Sequence, residues 1–255
     1  MLLVMDVGNT NTVLGIFEGV RLRASWRITT RREQTADEYG VFIENLLHSA
    51  GLGPRDVTAI ALSSVVPTVQ PVLEETANHY FGITPFVVKP GVNVSLPLLI
   101  DNPKELGADR VVNAVGAIEL YGAPLIIVDF GTATTFDAIS SRGEFLGGAI
   151  APGLVIASEA LFSRGSQLYR VELTVPDRVI GTNTGTAMQA GILYGYAGLV
   201  DGILERMLQE LGGAPRVIAT GGVAAAIQKE VKRIHEVNPN LTLEGLRIIY
   251  DRSLR

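Results

Sequence analysis

Leu125-Ile-Ile-Val-Asp129-Phe-Gly131-Thr-Ala-Thr-Thr135 restarts a pattern that first occurs at Leu2-Leu-Val-Met-Asp6-Val-Gly8-Asn-Thr-Asn-Thr12. Each copy is an apolar run ending in Asp, then any residue, Gly, a short polar turn and a second β-rich run. The copies lie 123 positions apart, from Asp6 to Asp129, about half of the 255-residue chain. A repeat this long implies two similar α/β domains rather than a solenoid of short units. Each copy continues alike: a third strand is expected at Leu22–Ile28 in the first and at Glu144–Ile150 in the second. The expectation is an α/β protein of two duplicated domains, 1–118 and 119–255, with a ligand cleft between them.

Around the first copy, helical spacing over Thr35–Ala50 puts Tyr39, Phe42, Ile43, Leu46 and Leu47 on one face. A buried strand over Val57–Ser63, a helix over Val69–Phe81 and a short strand at Pro85–Val88 follow, then an aperiodic stretch over 89–101. Asn102 is a candidate N-cap, with Pro103 at the first helical position and Glu105 closing a capping box, for a helix running to Tyr121. After the second copy come a long helix over Thr184–Leu211, a strand at Arg216–Ala219 and a terminal helix including Leu243–Arg252.

Net charge is −5, from 21 Lys+Arg against 26 Asp+Glu, which speaks against a nucleic-acid partner. The chain has no cysteine, so disulfides, thiolate nucleophiles and Cys-based metal sites are excluded. His48, His79 and His235 are scattered. The first residues lack the basic region of a signal peptide, and no apolar run reaches the ~18 residues of a membrane span. The reading is a cytoplasmic protein with no membrane partner.

A single Asp-x-Gly turn is ordinarily just a hairpin. Two of them, each with a strand-end carboxylate and a glycine that lets an anion reach the backbone, suit a polyphosphate. There is no P-loop and no Gly-x-Gly-x-x-Gly fingerprint. Thr220-Gly221-Gly222 is a candidate seat for a nucleoside. Gly107, read as lying inside the helix from Asn102, costs about 1 kcal/mol there relative to Ala. That cost points to a close approach near Asp109, a candidate proton acceptor, and Arg110, a candidate anion holder. An ordinary solvated Asp–Arg pair is the alternative. Gly191, Gly195, Gly198 and Gly202 stripe the long helix, suiting either close packing within the chain or a subunit interface.

Four blocks in order, Asp6-Val-Gly8-Asn-Thr-Asn-Thr-Val13, Gly107-Ala-Asp-Arg110, Asp129-Phe-Gly-Thr-Ala-Thr-Thr135 and Gly181-Thr-Asn-Thr184, resemble the signatures of type III pantothenate kinases. The resemblance runs nearly end to end. It implies the actin-like (sugar kinase/Hsp70-type) fold, a homodimer, and ATP-dependent phosphorylation of pantothenate to 4'-phosphopantothenate, the first step of coenzyme A biosynthesis.

Carried over, Asp6, Val7, Gly8, Asn9, Thr10, Asn11, Thr12 and Val13 would bind ATP together with Thr132, with Asp6 near Mg2+. Gly107, Ala108, Asp109, Arg110 and Thr184 would bind pantothenate, with Asp109 as proton acceptor. Asp129 would bind a monovalent cation, K+ or NH4+. Two positions depart from the family pattern. Ile100 stands where a tyrosine is frequent before the Asp-Asn-Pro step, and Leu168-Tyr169-Arg170 replaces Leu-Pro-Arg. The alternatives are a regulatory relative without activity, and an actin-fold kinase or phosphatase acting on another small hydroxyl substrate.

Overall fold

The computed structural model describes residues 1–165 and 167–255 and divides into two compact units. Unit one comprises Met1–Leu120 and Asn240–Arg255; unit two comprises Tyr121–Pro239.

In unit one, β1 (Leu2–Val7), β2 (Asn11–Glu18), β3 (Arg21–Thr29), β4 (Ala59–Ser64) and β5 (Phe86–Val87) form a sheet in the order β3-β2-β1-β4-β5. The first three strands form an antiparallel meander, and β4 and β5 join in parallel. Helices α1 (Ala36–Ser49) and α2 (Gln70–Phe81) bury Tyr39, Ile43, Leu47, Leu73 and Ala77 in a core with Leu3, Met5, Ile60 and Leu62. Phe42, expected on that buried face, is 42% exposed. The capping box at Thr35 and Glu38 starts α1.

One expected element is divided. Pro103–Glu105 is a single 3-10 turn, and α3 begins only at Ala108 and runs to Tyr121. The Asn102 side chain accepts from the Lys104 N–H and donates to Glu105, closing that short turn on itself. Gly107 is therefore not inside a helix; it precedes one, and the inferred interior-glycine cost does not arise. Its constraint is steric: a side chain there would run into the Asp109 carboxylate.

The domain boundary also differs from the expected 118/119 division. The last helix, α7 (Leu241–Ser253), returns to unit one, against β1, β2 and β4. The crossing with α3 is made by glycines: a Cβ on Gly116 would meet the Gly245 backbone, and one on Gly245 would meet the Val112 carbonyl.

Unit two repeats the plan. β6 (Leu125–Phe130), β7 (Ala133–Ile139), β8 (Phe145–Pro152), β9 (Arg216–Thr220) and β10 (Glu236–Val237) form a sheet in the order β10-β9-β6-β7-β8. The long helix α5 (Thr184–Leu211) buries Leu193, Tyr196, Val200 and Leu204 against β6, β7 and β9. Helices α4 (Leu154–Arg164) and α6 (Ala224–Ile227) complete the unit. Among the described residues no helix is long and apolar enough to cross a membrane.

The duplication holds at the level of register, with one offset. Val7 pairs with Thr12 across Gly8–Asn11, whereas Phe130 pairs with Thr134 across Gly131–Ala133. The second turn is one residue shorter, so the structural equivalent of Thr12 is Thr134 rather than Thr135. Both are buried.

Candidate active site

In unit one, Asp6 sits half-buried near the carboxyl end of β1, where parallel β4 also ends. Carboxyl ends of parallel strands are where α/β sheets bind ligands. Ser63 on β4 donates its hydroxyl to Asp6 Oδ1 at 2.5 Å. The turn that follows is closed by the Gly8 N–H donating to the Asn11 carbonyl (3.0 Å). Thr30, just past β3, braces it twice: its N–H donates to the Thr10 carbonyl (3.0 Å) and its hydroxyl to the Gly8 carbonyl (2.8 Å). Thr12 shares a hydroxyl bond with Thr30 at 2.9 Å. Asn9 and Thr10 are left exposed at the tip, and the Arg32 guanidinium reaches Asn9 Oδ1 at 3.4 Å. Such a turn offers hydroxyl and amide donors around an exposed backbone, beside a carboxylate.

The same end of the sheet carries Asp109. Val65, directly after β4, donates its N–H to the Val7 carbonyl, and its side chain lies 3.5 Å from where a Gly107 Cβ would stand. Gly107 thus brings the start of α3 against the strand ends that present Asp6. Asp109 occupies the first turn of α3, and its Oδ1 accepts from the Arg110 N–H at 2.8 Å. Burial raises its pKa above the ordinary aspartate value, against a smaller lowering by the Arg110 amide and guanidinium. A desolvated carboxylate with a raised pKa is a stronger proton acceptor than a solvated one.

In unit two, Asp129 ends β6 as Asp6 ends β1. Gly221, at φ +96°, lies so close that a Cβ there would stand 2.5 Å from Asp129 Oδ1 and 2.6 Å from the Phe130 backbone. Gly153 closes the turn from the other side: its N–H donates to the Thr132 carbonyl (3.2 Å), and a Cβ would collide with the carbonyls of Gly131 and Thr132. Thr132 is exposed at the tip. Beneath it, the buried Thr134 hydroxyl bonds the hydroxyl of Tyr196 on α5.

Thr184 is exposed at the first position of α5, behind the N-cap Asn183, whose side chain accepts from the Thr186 N–H at 2.9 Å. The Tyr169 hydroxyl lies beside Gly185, 3.0 Å from where its Cβ would be.

The predicted residues form two clusters: Asp6–Val13 with Gly107–Arg110 in unit one, and Asp129 with Thr132 in unit two. Thr184 stands at a separate helix start within unit two. Ser63, Thr30 and Gly153 were not anticipated. The sequence signal for Ser63 was a polar residue closing an otherwise apolar strand. Among the described residues no group of three or more His, Cys, Asp or Glu side chains could hold a metal ion. A divalent ion here would have to arrive with phosphate ligands and waters of its own, needing only one carboxylate, which is the habit of Mg2+.

Residues 2–206 match the family model for type III pantothenate kinase. The chain belongs to the type III pantothenate kinase family. A relative from Moorella thermoacetica of that description is 55% identical, covering 99% of this chain and 100% of its own. One from Geobacter sulfurreducens is 56% identical, with 99% of each chain covered. Among solved structures, a conserved Campylobacter jejuni protein assigned to the Baf family aligns at TM-score 0.63 with 18% identity, covering 99% of this chain and 98% of its own. The inorganic polyphosphate/ATP-glucomannokinase of an Arthrobacter strain aligns at TM-score 0.52 with 14% identity, covering 98% of both. At these identities the likeness shows the fold alone: the two-domain actin-like ATPase and sugar-kinase architecture. As a member of the type III pantothenate kinase family, the chain is an ATP-dependent kinase that works with a divalent metal.

Proposed function

We propose that this chain transfers the terminal phosphoryl group of ATP to the hydroxyl of pantothenate, with Asp109 as the proton acceptor. Membership of the type III pantothenate kinase family makes the product 4'-phosphopantothenate and the reaction the first step of coenzyme A biosynthesis. The observation that carries the assignment of Asp109 is its desolvated carboxylate at the start of α3, held against the strand ends that present Asp6.

Phosphoryl transfer spreads charge over the transferring oxygens, so the protein mainly positions groups and neutralises charge. Asp6–Val13 and Thr132 take the ATP phosphates through backbone and hydroxyl donors, which substitutes for the absent P-loop lysine. Mg2+, with Asp6 as its protein oxygen, neutralises phosphate charge when bound. Gly107, Ala108, Arg110 and Thr184 bind pantothenate; Asp109 orients its hydroxyl and takes the proton. Asp129 offers a carboxylate oxygen to a monovalent cation, K+ or NH4+. The enzyme works as a homodimer in the cytoplasm.

Asp109→Asn keeps the side-chain shape and removes the acceptor. Turnover should fall roughly 10²–10⁴-fold while ATP still binds; near-normal turnover would remove Asp109 from the chemistry. Activity should collapse in buffer containing Na+ alone and recover with K+ or NH4+. Rates indifferent to the cation would remove that role from Asp129.

A further inference from the structure

Each strand-end aspartate has a hydroxyl residue beside it across a parallel pairing. Asp6 on β1 is in register with Ser63 on β4, and Asp129 on β6 with Thr220 on β9. Residues in register on neighbouring strands project to the same face of a sheet, so in both units a hydroxyl accompanies the carboxylate. The two hydroxyl residues are 0% and 2% exposed. Nothing in the sequence repeat announces this, because the connections leading to β4 and β9 differ in length and the pair falls outside the 123-residue spacing.

Ser63 follows a run of small and apolar residues, Ala59-Ile60-Ala61-Leu62. A fully buried hydroxyl is costly unless bonded. Its bond goes to Asp6 Oδ1 at 2.5 Å, the short end of the range for a hydroxyl donating to a carboxylate. On the other side of β1, Asp6 faces Val13, which has no side-chain donor. Ser63 holds one oxygen of this carboxylate from within the sheet.

We infer that Ser63 is a positioning residue for the kinase reaction, holding the Asp6 carboxylate in the orientation that receives the metal–nucleotide complex. The inference rests on the reading of Asp6 as the carboxylate beside Mg2+.

The test is calorimetric binding of a non-hydrolysable ATP analogue, with and without Mg2+, to wild type, Ser63→Ala, Ser63→Thr and Asp6→Asn, each first checked by thermal melting. Ser63→Ala should weaken Mg2+-dependent binding roughly 10–100-fold, the usual effect of losing a group that orients a metal-side ligand. Binding without Mg2+ should be unchanged, and Ser63→Thr, which keeps the hydroxyl, should recover most of the loss. Wild-type behaviour of Ser63→Ala would overturn the inference. So would equal losses with and without the metal that threonine does not repair, because those mark a packing defect. If the wild type binds the analogue but Asp6→Asn leaves its Mg2+ dependence intact, the reading of Asp6 fails and the inference falls with it.

Discussion

Asp109 carries opposing demands on one side chain. Burial raises its pKa, which suits a proton acceptor and works against the folded state. The sign follows from proton linkage. Between the unfolded aspartate pKa and the raised folded one, the folded protein binds more protons than the unfolded chain. Stability contributed by this group therefore falls as pH rises through that window and stays low at neutral pH. Asp109→Asn should accordingly melt higher than wild type at pH 7, with the gain shrinking as pH falls through the raised folded pKa and gone below about 4, where aspartate is protonated in both states. A variant that loses turnover and melts lower at pH 7 would contradict the desolvated-base account. At the same scale, Asp6, Gly8, Asp109 and Asp129 could be singled out as candidates in the sequence by residue type and order. Ser63 and Thr30 were not, since a serine or threonine near a strand end means little until the register shows what lies beside it.

At the scale of elements, regular structure followed periodicity closely where one face is buried. The long helix over Thr184–Leu211 and the antiparallel hairpins are examples. One reading failed and one helix went unread, each for a local reason. Asn102, Pro103 and Glu105 carry the signals of a helix start, but they satisfy one another within a single turn, and the chain restarts at Ala108. The short helix α4 has too little amphipathic contrast, with only Leu154 and Ser158 buried, to be recognised from spacing. The glycine stripe of α5 is the element whose meaning the sequence left open. Among the described residues, a Cβ at Gly191, Gly195 or Gly198 would meet nothing within 4 Å, so these glycines do not serve close packing with them. In an isolated helix each Gly→Ala exchange would add about 1 kcal/mol of stability. If the homodimer proposed above uses this face, a second copy approaches at these positions. The Gly191→Ala, Gly195→Ala, Gly198→Ala triple variant should then sediment with a larger monomer fraction than wild type at micromolar concentration. A variant that melts higher and sediments like wild type would show that the stripe faces solvent.

At the scale of the molecule, a gene duplication is written most plainly in the two Asp-x-Gly hairpins, and that much of the fold could be read directly. The constant spacing concealed a one-residue difference in turn length, which only strand pairing exposes. It also concealed the return of α7 to unit one, because a C-terminal amphipathic helix gives no sign of which sheet it will cover. The Gly116–Gly245 crossing shows how that return is made: two helices of unit one meet backbone to backbone. The central claim remains chemical. Mass spectrometry of pantothenate incubated with the full chain, Mg2+-ATP and K+, beside an Asp109→Asn control, tests it most directly. A new species heavier by one phosphoryl group, formed by the wild type and nearly absent in the control, is the predicted result. Unmodified pantothenate, with the protein folded and ATP in excess, would contradict the account.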